Sequence, residues 1–135
     1  MSGRREVDDR LVVSVAQAGV NSVILTVCKR MGFAPFPCRV ELTRKHVLGM
    51  AVMRTVTRSR TDFTPIGREH VVLVNKAEFV KADEALRLEI VAHEACHAIV
   101  SEYVRSPSGD HGPAWQAAMR LCGLDPRATY RHGKR

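Results

Sequence analysis

Among the 135 residues there is no Cys-x-x-Cys pair; Cys28, Cys38, Cys96 and Cys122 each stand alone. That spacing excludes a zinc ribbon and a thioredoxin-like redox motif, and the thiols are expected to be reduced and mostly buried. No run approaches the roughly 18 to 20 consecutive apolar residues of a bilayer-spanning helix. Residues Met1 to Arg10 lead into no signal-type apolar stretch with a small-residue cleavage site. A soluble, cytoplasmic protein without a membrane partner is therefore expected. Repeats, low-complexity tracts and Gly/Ser linkers are missing too. Their absence leaves one domain over residues 1–135, with its core at about 8–122 and a basic tail at 123–135. Aromatic residues make up only 5% of the chain, and most are needed for the core rather than for stacking on nucleobases.

What is present suits an ordinary globular domain: 45% hydrophobic and 26% charged residues, enough apolar surface for one core. A monomer is expected. Lys and Arg number 21 against 14 Asp and Glu, a net charge of +7. The excess is uneven. Over residues 39 to 60, Arg39, Arg44, Lys45, Arg54, Arg58 and Arg60 face only Glu41, and the tail adds Arg131, Lys134 and Arg135. Such a stripe fits an anionic partner such as a phosphate backbone, although cations also serve solubility.

Apolar spacing predicts helix over residues 8 to 31, bent or split where Gly19 and Asn21 fall. Gly32 and the Pro35-Phe-Pro37 segment stop it. Residues 38–43, 51–57 and 70–74 read as three strands, with connections that favour an antiparallel sheet. Asp83 can cap a long helix from Glu84 to about Val104. Pro113 opens a last short helix that ends near Cys122-Gly123. The expected fold is α+β: N-terminal helix, three-stranded antiparallel sheet, long helix, short C-terminal helix.

The long helix carries His93-Glu-Ala-Cys-His97, an H-E-x-x-H motif. At 100° per residue the two histidines lie about 40° apart and one turn apart, so both imidazoles can approach one zinc ion. Leu86, Ile90, Val100 and Val104 share that face and should wall the site with apolar groups. Glu94 sits beside the ligands, where its carboxylate can take a proton from water activated by the metal; it is the candidate general base. Cys96 points away from the histidine face and reads as a small buried hydrophobe.

A catalytic zinc takes three protein ligands plus water. Val100 and Tyr103 stand where the metzincin extension needs glycine and histidine, so that subclass is excluded. Glu102 lies about 140° round the helix from His97 and cannot reach the metal. His111, beyond a loop and just before Gly112-Pro113, is the best-placed third ligand, with Asp110 as second choice or supporting partner. His46, His70 and His132 read as surface residues.

His93-Glu-Ala-Cys-His97-Ala followed by His111-Gly-Pro-Ala-Trp115 resembles the SprT-like (Spartan-type) zinc metalloproteases. Leu48-Gly49-Met50-Ala51 and His70-Val-Val-Leu-Val-Asn75 fall in the family's order, so the resemblance covers roughly residues 8 to 122. It implies a minimal zincin-like domain holding one zinc ion, with His93, His97 and His111 as ligands and Glu94 as base. It also implies cleavage of protein substrates crosslinked to or bound on DNA, with DNA as activator. This chain has neither the cysteine spacing nor the length for the zinc ribbon or recruitment modules many members append, so DNA contact falls to its own basic segments. Two other functions share the sequence features: a non-catalytic, zinc-stabilised nucleic-acid-binding module, and a regulatory peptidase unrelated to DNA.

Overall fold

The computed structural model of the chain describes residues 7–104 and 111–127. Asp110, His132 and the tail cations Arg131, Lys134 and Arg135 lie outside these residues. Helix α1 spans Asp9–Met31. Asp8 caps it by accepting from the Arg10 amide at 2.8 Å, and Gly32, at φ 79°, closes it in the left-handed conformation. The helix is continuous through Gly19, where a break was expected. A Cβ at Gly19 would stand 3.0 Å from Val91 Cγ2, so glycine here permits close helix packing rather than a bend. By length and composition α1 is apolar enough to cross a membrane. Its Val12, Ala16, Val20, Ile24 and Val27 are instead buried in the domain core, as in a core helix of a folded domain.

Strands β1 (Cys38–Thr43), β2 (Gly49–Thr57) and β3 (Pro65–Asn75) form one sheet in the order β1-β3-β2. β2 and β3 pair antiparallel, but β1 runs parallel to β3, from Cys38 opposite His70 to Thr43 opposite Asn75. The sheet is therefore mixed, which corrects the antiparallel expectation. The cause lies in β3, whose Val71, Val72, Leu73 and Val74 are all buried. Such a run belongs in the middle, and the chain leaving β1 must cross to the far side of β3 before β2 begins. The Gln17 side chain lies along the outer edge of β1, donating to the Cys38 carbonyl at 2.7 Å and accepting from the Val40 amide at 2.9 Å. One side chain thus pins α1 to the sheet and satisfies groups that an edge strand would otherwise expose.

A short helix not expected from the sequence, α2 (Lys76–Lys81), follows, capped by the Asn75 side chain, which accepts from the Glu78 amide at 3.0 Å. Arg87 holds its far end by donating to the carbonyls of Phe79 and Val80, each at 2.8 Å. Helix α3 (Glu84–Tyr103) begins at Asp83, which accepts from the Leu86 amide as expected. From Glu89 to Cys96 every residue of α3 is buried, because α1 packs on one side of it and the sheet on the other. Helix α4 (Pro113–Leu121) closes the domain against α3, with Pro113 in its first turn.

The C-terminal end of α3 is fastened separately. Phe33 stacks on Tyr103, whose hydroxyl donates to the Ala34 carbonyl. His70 is buried, not on the surface as expected: Glu102 meets its Nε2 at 2.8 Å and Phe36 leans on its ring. Being on β3, His70 alternates with Val71 toward the helices, and a carboxylate at the end of α3 satisfies it there.

Candidate metal centre

His93 and His97 project from the buried middle of α3, and His111 approaches from the residue before the α4 cap. Their Nε2 atoms converge: His111 lies 3.1 Å from His97 and 3.2 Å from His93. Four ligands placed at about 2.05 Å around a zinc ion in a tetrahedron stand about 3.3 Å apart, so these separations suit three corners of such a site. Three imidazole nitrogens aimed at one point can hold a metal ion.

Burial pushes the His93 imidazole down to about 3, and the His97 and His111 charges act in the same direction. It is thus the neutral form, with a lone pair for a metal, at any ordinary pH. The sequence expectation placed these three residues together, and the fold does so through two different elements.

Trp115 builds the floor. It is 1% exposed, its ring stacks on His97 with centroids 5.4 Å apart, and it meets His93 and His111 edge-on at 4.8 and 4.5 Å. Its indole N–H donates to the His93 carbonyl at 3.2 Å. In the sequence Trp115 stood out only as the end of the His111-Gly-Pro-Ala-Trp115 segment. Gln116, which the sequence did not single out, donates to the His111 carbonyl at 2.9 Å and fixes the backbone of the third histidine. No local sequence signal distinguishes that glutamine.

Trp115→Ala is expected to cost about 3–5 kcal/mol of stability, the range for truncating a buried aromatic. It should also weaken metal binding by about 10- to 100-fold, as loss of a ligand-orienting neighbour does. Chemical denaturation of the metal-free protein and a competition titration with a chromophoric chelator measure the two effects separately.

Glu94 is 4% exposed and lies under the start of β2. A Cβ at Gly49 would stand 3.1 Å from Glu94 Cγ, 3.1 Å from Ile90 Cγ2 and 3.3 Å from the Leu73 carbonyl. Only a residue without a side chain lets this strand pass over Glu94 undisturbed. An isolated glycine at a strand start was the available signal for that close approach. Cys96 is fully buried, as expected, and of the apolar wall Leu86, Ile90 and Val100 are buried while Val104 is exposed.

A family model described as the SprT-like family matches residues 28–132, from the last turns of α1 past all three histidines. The chain belongs to the SprT-like family. No curated protein and no solved structure matches it. The SprT-like family is one of zinc-metallopeptidase-like proteins, and the three-histidine group of this SprT-like chain is a site able to hold the metal such a protein requires.

Proposed function

We propose that this SprT-like chain is a zinc-dependent endopeptidase, with His93, His97 and His111 as ligands and Glu94 as general base. The observation that carries the reading is the convergence of three Nε2 atoms at 3.1 and 3.2 Å with an adjoining buried glutamate. A zinc ion held there supplies a Lewis acid that acidifies water and polarises a peptide carbonyl. Glu94 takes the proton of the attacking water and returns it to the departing amine. Trp115 keeps the three imidazoles aimed, and the buried wall of α3 excludes competing water. A purely structural zinc would need no base, so Glu94 favours the catalytic reading over a zinc-stabilised binding module.

The proposed substrates are proteins on DNA. Support comes from the charge of +7 and from its placement. Arg54 on β2 reaches across the sheet to Glu41 on β1, Arg39 pairs with Glu41 along β1 and with Glu69 on β3, and Arg58 pairs with Asp62. Arg44, Lys45 and Arg60 have no acidic partner among the described residues and lie exposed in the loops that flank β2. These are the cations best placed to meet phosphates and release counterions.

Replacing Arg44, Lys45 and Arg60 together with Ala is expected to flatten the log-affinity against log-salt slope for single-stranded DNA by up to about 2, or roughly 0.7 per phosphate contact. Fluorescence titrations of a labelled oligonucleotide at several salt concentrations measure it, and an unchanged slope removes this surface from the proposal.

Digestion of casein and histone by the zinc-loaded protein, with and without single-stranded DNA, tests the function. Cleavage stimulated by DNA supports the full reading, and DNA-independent cleavage leaves a peptidase of another class of substrate. Saturable DNA binding without cleavage supports a binding module and defeats the endopeptidase.

A further inference from the structure

Outside the metal centre, one pair of reactive groups is placed for chemistry with each other. Cys96 on α3 and Cys122 at the C-cap of α4 lie with their sulfurs 3.9 Å apart, though 26 positions separate them in the chain. Cys96 is fully buried, whereas Cys122 is only half-buried. The Arg30 guanidinium, which donates to the neighbouring Leu121 carbonyl at 3.0 Å, stands close by. We infer that Cys96 and Cys122 form an oxidative modification site, closing to a disulfide when a hydroperoxide reaches Cys122.

The two steps balance. The Cys122 thiol takes one oxygen from the hydroperoxide, becoming a sulfenic acid, and the peroxide leaves as water or an alcohol. The Cys96 sulfur then attacks Cys122 Sγ, the S–O bond breaks, and the hydroxyl departs as water with the Cys96 proton. The hydrogen bond from Cys96 holds the Cys122 thiol below its ordinary value against the opposing effect of burial, and Arg30 adds to the lowering. Cys122 is also the less buried sulfur of the pair, so it is the one a hydroperoxide meets first.

Forming the bond requires the sulfurs to close from 3.9 Å to about 2.05 Å. Cys122 can supply that movement, because it follows the last helical residue of α4 and precedes Gly123 at φ 77°. Among the described residues the group able to hold a metal is His93, His97 and His111, and neither sulfur belongs to it.

The consequence reaches the metal centre. Cys96 adjoins His97 on α3, and α4 begins two residues after His111, so the bond would staple the two elements that bring the ligands together. Separation of α3 from α4 would then be restrained at the Cys122 end of α4. This last step rests on the three-histidine metal reading, whereas disulfide formation does not.

The test treats the full zinc-loaded chain with hydrogen peroxide and maps crosslinked peptides by mass spectrometry under non-reducing conditions. A Cys96–Cys122 link, reversed by dithiothreitol, lost in Cys122→Ser and retained in Cys28→Ser, is the expected result. No link, a Cys28–Cys96 link, or Cys122 found only as sulfinic acid overturns the assignment. Zinc release to excess chelator should be several-fold slower from the crosslinked protein than from the reduced one. An equal rate overturns the coupling to the metal centre and leaves the disulfide intact.

Discussion

Glu94→Gln retains zinc and fold but loses about 10²-fold or more in peptidase rate, the low end of what a positioned general base contributes. The amide keeps the shape of the carboxylate and removes its capacity to take a proton. Because the residue is not one of the three converging ligands, the metal content should stay at one per chain. Elemental analysis together with initial rates on casein separates the two quantities; activity within a few-fold of wild type would remove the assigned role. Gly49→Ala provides an independent approach to the same carboxylate. The added methyl would stand 3.1 Å from both Glu94 Cγ and Ile90 Cγ2 and 3.3 Å from the Leu73 carbonyl, so the packing around the glutamate must shift by a few tenths of an ångström. Its rate should fall between wild type and Glu94→Gln with zinc retained.

His111→Ala is expected to lower zinc affinity by more than about 10²-fold, beyond the 10- to 100-fold cost of substitutions that merely orient a ligand. Two histidines remain on α3, but one corner of the three-nitrogen arrangement is lost and nothing else in α4 replaces it. Competition against a chromophoric chelator reads the affinity, and circular dichroism checks that α3 and α4 persist. Wild-type affinity in this variant would show that another residue completes the site. A large loss in His111→Ala and a modest one in Trp115→Ala would separate the ligand from its support.

Much of this was legible because its causes are local. Asp83 before an apolar periodic run, Pro113 after a loop, and Cys38-Arg-Val-Glu-Leu-Thr43 in alternation each carry their own physical reason, and α3, α4 and β1 begin where those signals stand. The two histidines of one helix followed from its period. Strand order was different, because it depends on which strand must be buried on both faces. That is decided by pairings between elements far apart in sequence, such as β1 with β3. Gly19 illustrates the same limit: helix propensity reads it as a break, while a helix-to-helix approach at Val91 makes it an asset. His70 was read as exposed because its partner Glu102 lies 32 positions away. Helix α2 is only six residues long, too short for its periodicity to stand out.

X-ray absorption at the zinc edge of the wild-type protein is the most direct measurement of the central claim, that three histidines hold an open, catalytic metal centre. The account predicts three imidazole nitrogens at about 2.0–2.1 Å and one further light-atom donor from water. A sulfur ligand at about 2.3 Å, or a site closed by four protein donors, would contradict it.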